Sequence, residues 1–175
     1  VSTSLEAWKG LMSINLDGVF LGMKTVIPAM LDAKQGGSVI NISSIAGSTA
    51  VGSSVAYCAS KAAINSMTMS LGRALAPNIR VVAVAPGWVA GEYASRADPA
   101  YMQEQINKTP LGRIATASDV ANTVVALSTT VTFNTQLMSV ELNSSLGLPL
   151  VASNLYYYDG SSWDVIASNA HSASV

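Results

Sequence analysis

Apolar residues recur at steps of three and four near the start of the chain: Leu5, Trp8, Met12, Leu16, Val19, Met23, Ile27 and Met30. That period predicts one long amphipathic helix over most of residues 3–33, with Asn15 beside the apolar stripe and Gly36-Gly37 closing the helix. The pattern then changes period. Ser38-Val39-Ile40-Asn41-Ile42 puts β-branched residues on both faces of a short strand, as in a parallel sheet covered on both sides. Residues 55–76 return to helical spacing and stop before Pro77, and residues 79–85 read as a second buried strand ended by Pro86-Gly87. Helix, strand, helix, strand at these lengths is the crossover pattern of an α/β sheet.

Residues 88–116 mix Gly, Asp and Pro around a short polar helix near 98–107. This stretch is expected to form a loop over the carboxyl ends of the strands, where open α/β sheets bind ligands. Ser118-Asp119 is expected to cap a further helix running to about Ser128, and residues 136–142 can make one more strand. From Asn143 the composition turns Ser-rich, and the alternation within 155–166 predicts a hairpin about Asp159-Gly160. The expected organisation is an α/β body over 1–143 and a divergent tail over 144–175, a hairpin followed by a disordered end.

Composition narrows the partners. Half of the 175 residues are hydrophobic and 11% are charged, enough apolar material for one globular core. Nine basic residues against ten acidic ones, without a Lys/Arg cluster, point away from nucleic acid and from an anionic membrane surface. The longest apolar stretches, such as 79–90, are broken by Arg80 and Pro86 and are too short to span a bilayer, so no membrane association is expected. A single cysteine, Cys58, rules out an intramolecular disulfide and a cysteine-based zinc site, in keeping with a reducing, cytoplasmic setting. The lone His171 has no companion ligand, and no metal site is expected.

Candidate chemistry centres on Tyr57-Cys58-Ala59-Ser60-Lys61, with Ser44 thirteen residues before the tyrosine at the end of a strand. Four residues make about one helical turn, so the Lys61 ammonium stands beside the Tyr57 phenol, where a cation favours the phenolate and makes the side chain a usable acid and base. Taken alone, such a pair is equally a surface contact on a helix. Ser43 and Ser44 both sit where a hydroxyl could simply satisfy backbone groups at a strand end. Cys58 reads as a small packing residue, and Met67 and Met69 as packing against a neighbouring helix or subunit.

Four segments in this order, Asn15-Leu16-Asp17-Gly18-Val19-Phe20, Gly37-Ser38-Val39-Ile40-Asn41-Ile42-Ser43-Ser44, Tyr57-Cys58-Ala59-Ser60-Lys61 and Pro86-Gly87-Trp88-Val89, resemble the short-chain dehydrogenases/reductases over residues 3 to about 130. The resemblance implies an α/β fold, part of a Rossmann-like doubly wound parallel sheet corresponding to the family's C-terminal half, here with a hairpin-like tail. It implies NAD(P)-dependent interconversion of an alcohol and a carbonyl in a small-molecule substrate, and a homo-oligomer for a full-length parent. By the same resemblance Tyr57 is the general acid or base, and Lys61 tunes it and holds the nicotinamide ribose. Ser44 bonds the reacting oxygen, and Asn15 locally opens its helix to hold a water relaying protons to Lys61. Pro86, Gly87, Trp88 and Val89 pass along the nicotinamide, with Val89 backbone groups meeting its carboxamide.

Three departures qualify this. The family's Thr-Gly-x-x-x-Gly-x-Gly phosphate turn and its Asn-Asn-Ala-Gly segment have no counterpart, so most of the NAD or NADP site is expected to be missing and the chain to be inactive by itself. Gly91 stands where the family often has a Thr or Ser toward the carboxamide. Glu141-Leu142-Asn143 replaces the expected Asp-Gly-Gly. The rival expectation is a non-catalytic chain that associates through an exposed sheet edge and its Tyr/Trp-rich tail.

Overall fold

The computed structural model describes residues 3–128, 137–142, 154–158 and 163–168, the last three stretches by their backbone. Helix α1 (Leu5–Met12) runs through a π-helical turn, Ser13–Asp17, into α2 (Gly18–Ala33). Strand β1 (Gly37–Ile42), a short α3 (Ala46–Thr49), the long α4 (Val55–Leu75) and β2 (Ile79–Pro86) follow. After them come α5 (Glu92–Ser95), α6 (Pro99–Asn107), α7 (Ala117–Ser128) and strands β3 (Leu137–Leu142), β4 (Asn154–Tyr158) and β5 (Trp163–Ser168). One sheet carries them in the order β1-β2-β3-β4-β5, with β1, β2 and β3 parallel and β4 and β5 added antiparallel.

Alternation along β2 decides how the layers are built. Ile79 and Val81 point to one face, where Met23 and Ile27 of α2 and Met67, Leu71 and Leu75 of α4 cover them. Val82 and Val84 point to the other face, against Val120, Val124 and Leu127 of α7. Helices thus cover both faces of β1 and β2, the arrangement that continuous apolar strands demand. Arg80, the charged interruption in β2, donates to Ser38 Oγ of β1 and to the Leu127 carbonyl at the end of α7, so its head is satisfied where it leaves the core.

Several expectations change in detail. The first helix does extend from Leu5 to Ala33, but Leu5 is 68% exposed and only Met23 and Ile27 of the apolar stripe are buried. At 29 residues it is, by length and composition, long and apolar enough to cross a membrane, which corrects the reading that no stretch reaches that length. Its buried residues pack on β2, as in the layer helix of an α/β body. Lys34 takes the left-handed capping conformation (φ 54°) in place of the Gly36-Gly37 expected to close the helix. The cap of α7 is centred on Thr116, with Asp119 of the expected Ser118-Asp119 pair as its partner and Ser118 outside it. The Asp119 carboxylate accepts from Thr116 N, and Thr116 Oγ1 accepts from Asp119 N, a reciprocal capping box. The predicted hairpin is present as the β4–β5 pair, and β4 also pairs with β3; its Asp159-Gly160 turn and His171 lie outside the described residues.

Candidate active site

Ser44 lies just past the carboxyl end of β1, Pro86 ends β2, and Tyr57 and Lys61 lie on the first two turns of α4. Ser54 caps α4 by accepting from Tyr57 N at 3.1 Å, which fixes the start of the helix three residues before the tyrosine. The register then puts Tyr57 and Lys61 on one face, with Lys61 Nζ 5.7 Å from the Tyr57 ring centroid. Lys61 Nζ donates to the Ile42 carbonyl at 3.0 Å, tying α4 to the last residue of β1. Burial pushes the Lys61 ammonium below its ordinary value.

Ser44 stands two residues beyond Ile42 and is buried. Its Oγ accepts from Ala46 N at 3.2 Å and donates to the Pro86 carbonyl at 3.4 Å, a bond at the long limit that leaves the hydroxyl able to turn to another acceptor. Ser43 is occupied differently: its Oγ donates to the Lys61 carbonyl at 3.2 Å, a bond that holds α4 against the strand end. The turn that carries both serines can approach α4 closely only because residue 47 is glycine. A Cβ there would stand 2.7 Å from the Lys61 carbonyl carbon and 2.8 Å from Asn65 Nδ2.

Asn15 occupies the π-helical turn, where Gly18 N reaches back five residues to the Ser13 carbonyl. The wider turn is the local opening that the sequence resemblance implied. Asn15 Nδ2 donates to Ser60 Oγ at 3.2 Å, and Ser60 Oγ donates to the Tyr57 carbonyl at 2.7 Å. Ser60 is fully buried and joins Asn15 to the tyrosine's own turn. Sequence reasoning passed over it. Its place three residues after Tyr57, on the face turned to the first helix, was the available signal.

Past β2, a parallel bridge joins Val89 to Ala115. The bonds that make it run from Ala90 N to Ala115 O at 2.7 Å and from Ala115 N to Trp88 O at 3.1 Å, so neither uses the N–H or carbonyl of Val89. Trp88 stacks on Tyr93 of α5 (centroids 5.8 Å apart) and meets Tyr101 of α6 edge-on at 5.9 Å. An aromatic cluster, unforeseen from the sequence, thus fastens the loop immediately after Pro86 and Gly87. Gly91 at the start of α5 is exposed. Among the described residues no group of three or more His, Cys, Asp or Glu is arranged to hold a metal ion.

A family model described as enoyl-(acyl carrier protein) reductase matches residues 1–133. The chain is 37% identical over 132 residues to the short-chain dehydrogenase/reductase homolog YusR of Bacillus subtilis, with 75% of this chain and 100% of that protein covered. It is 34% identical over 136 residues to the inactive 2-(S)-hydroxypropyl-CoM dehydrogenase 2 of Xanthobacter autotrophicus, covering 74% of this chain and 59% of that one. Among solved structures, a 3-oxoacyl-[acyl-carrier protein] reductase from Brucella melitensis superimposes with a TM-score of 0.76 at 31% identity, covering 84% of this chain and 55% of that protein. The chain therefore spans little more than half the length of the last two relatives and the whole of the first.

Proposed function

The chain belongs to the short-chain dehydrogenase/reductase family, and from that premise we propose that its α4 face supplies the acid/base half of an alcohol–carbonyl interconversion driven by NAD or NADP. One observation carries the reading: Tyr57 and Lys61 share one helical turn, with the ammonium 5.7 Å from the ring centre. That ammonium is bonded to the strand end which leads into Ser44. In the reductive direction the substrate carbon takes a hydride and its oxygen takes the Tyr57 proton; oxidation reverses both transfers. Ser44 Oγ turns from the Pro86 carbonyl to donate to the reacting oxygen. Asn15, braced on Ser60, holds the water through which Lys61 exchanges protons.

The donor set suits the nicotinamide end of the cofactor. Lys61 spends one of its three N–H groups on Ile42 and has others to offer ribose hydroxyls. The backbone groups of Val89, left out of the bridge to Ala115, suit a carboxamide, with Pro86, Gly87 and Trp88 alongside. A bound NAD or NADP supplies the hydride chemistry. The family's Thr-Gly-x-x-x-Gly-x-Gly motif does not occur in the 175 residues, so in this reading the pyrophosphate is seated by other polypeptide. Residues 1–143 form the family body in this reading and 144–175 a divergent tail; the working enzyme is a cytoplasmic homo-oligomer acting on a small molecule.

The test is Tyr57→Phe in a protein that joins these residues to a pyrophosphate-binding half. Turnover should fall by about 10²- to 10⁴-fold with cofactor affinity held within a few-fold, and retention of more than about a tenth of the rate would sink the assignment. A second reading, association without catalysis, is favoured by the outer edge of β1, which has no strand partner among the described residues. Measured binding of NADH or NADPH to the complemented protein, lost in Lys61→Ala, separates the two.

A further inference from the structure

The connection from α3 to α4, residues 50–54, passes directly beside Tyr57. A Cβ built on Gly52 would stand 2.9 Å from Ala46 Cβ, 2.9 Å from Cys58 Sγ and 3.1 Å from the Tyr57 ring at Cδ1. Two of those approaches are closer than real Cβ atoms come to any neighbour, so a side chain at this position makes something move. Gly52 does not lie in the left-handed backbone region, which makes the constraint one of space alone.

The three neighbours belong to the two arms of the candidate site. Ala46 opens α3, and its N–H is the group that holds Ser44 Oγ at 3.2 Å. Tyr57 and Cys58 ride on the first turn of α4. Ala46 Cβ is fixed to backbone and cannot swing away, and the sulfur has a single bond to turn about. The sulfur and the planar ring are therefore the two groups that can turn aside, and they lie against the same slot. We propose that Gly52 is a positioning residue, the spacer that sets how closely the Tyr57 ring lies against the turn bearing Ser44. Its lack of a side chain fixes the separation between the group that carries the proton and the group that orients the reacting oxygen. The inference rests on the reading that these two side chains act on one oxygen, yet its test needs no turnover.

The experiment uses the full 175-residue chain made with 3-fluorotyrosine, whose six tyrosines give six fluorine resonances, with Tyr57→Phe identifying the one that matters. In Gly52→Ala the Tyr57 resonance should move by more than its linewidth while the other five stay in place and the thermal midpoint holds. Gly52→Ala combined with Cys58→Ala removes one wall of the slot and should bring the resonance at least halfway back. Val51→Ala, at a 68% exposed neighbour, should leave all six unchanged. A stationary Tyr57 resonance in folded Gly52→Ala, an equal movement of all six, or failure of both Gly52 variants to fold would each overturn the proposal, the last by making the glycine a requirement of folding in place of a local spacer. Failure of the Tyr57→Phe rate test would instead remove the reaction and leave this result untouched.

Discussion

Replacing Thr68 by Val removes one oxygen from the middle of the structure and should cost more stability than its size implies. Thr68 is fully buried on α4, donates from Oγ1 to the Ile64 carbonyl at 2.8 Å and accepts from Asn41 Nδ2 at 2.9 Å. Asn41 is itself buried on β1, and the other acceptor near that amide among the described residues is Met23 Sδ at 3.5 Å, a weak one. Valine keeps the volume and leaves the amide N–H without a good acceptor. The penalty for such an orphaned buried donor is about 1–3 kcal/mol, set against a few tenths regained from the added methyl. For a chain of this length that corresponds to a fall of roughly 4–8 °C at 2 kcal/mol. Urea unfolding of Thr68→Val, Asn41→Leu and the double variant measures it. If the bond matters as argued, the double variant costs less than the two singles added together, with a coupling of about 1–2 kcal/mol. Additive costs, or a single Thr68→Val penalty below about 0.5 kcal/mol, would show that the amide finds water or another acceptor and refute the reasoning.

Lys61→Met should change stability in a pH-dependent way. The folded state holds the ammonium below its ordinary value, so the unfolded chain binds more protons and wild-type stability rises with pH between the folded value and 10.5. The penalty is fully present below that window and relieved toward its top; the methionine variant, which has nothing to titrate, should gain on wild type near about pH 7 and lose that advantage near about pH 10, and a pH-independent difference would contradict it. Gly47→Ala, whose Cβ meets the Lys61 carbonyl carbon at 2.7 Å, should destabilise the chain by about 1–3 kcal/mol in thermal melts, because backbone cannot yield as a side-chain tip does. Trp88→Ala removes two ring contacts of about 0.5–1.5 kcal/mol each from the loop after β2. Limited proteolysis within 92–107 should then accelerate while the thermal midpoint moves little, and unchanged cleavage would mean that α5 and α6 are held by other contacts.

The sheet and its helices were legible because their patterns are local. Valine and isoleucine on both faces of 38–42 and 79–85 could be buried only between two helical layers, and β1 and β2 lie between α2, α4 and α7. The Tyr57/Lys61 pair was legible for the same reason, since four residues on a helix fix a neighbour whatever surrounds it. What escaped depends on distant chain. Nothing in Gly47 or Gly52 announces that α4 passes within contact distance of each, and Ser60 looks like any small helix residue until Asn15 arrives from 45 positions away. The helix ends misled in a different way. Gly36-Gly37 and Ser118 carry good capping chemistry, but Lys34 and Thr116 come first along the chain, and Thr116 takes Asp119 as its partner in the cap. The Val89–Ala115 bridge, which pins the ends of the loop over the strands, leaves no trace in composition at all.

Helix α4 does the work of core and site on a single stripe. Tyr57, Ser60 and Lys61 lie on its first turns, and Ile64 and Thr68, both fully buried, continue the same line at steps of three and four. The stripe is locked at both ends: Ser54 caps it before Tyr57, and Thr68 receives Asn41 from β1. A slip of one residue along the helix would turn every side chain by about 100°, taking Thr68 from its partner and swinging the phenol away from the Ser44 turn together. Core packing therefore selects the register that brings the phenol and the ammonium to the strand ends. The bonds from Ser43 to the Lys61 carbonyl and from Lys61 to the Ile42 carbonyl then close the remaining freedom between helix and strand. Fine placement falls to the two glycines, which set how near the Ser44 turn can come. Substitutions deep in α4 should for that reason disturb stability and tyrosine geometry in proportion, whereas substitutions at Gly52 should separate the two.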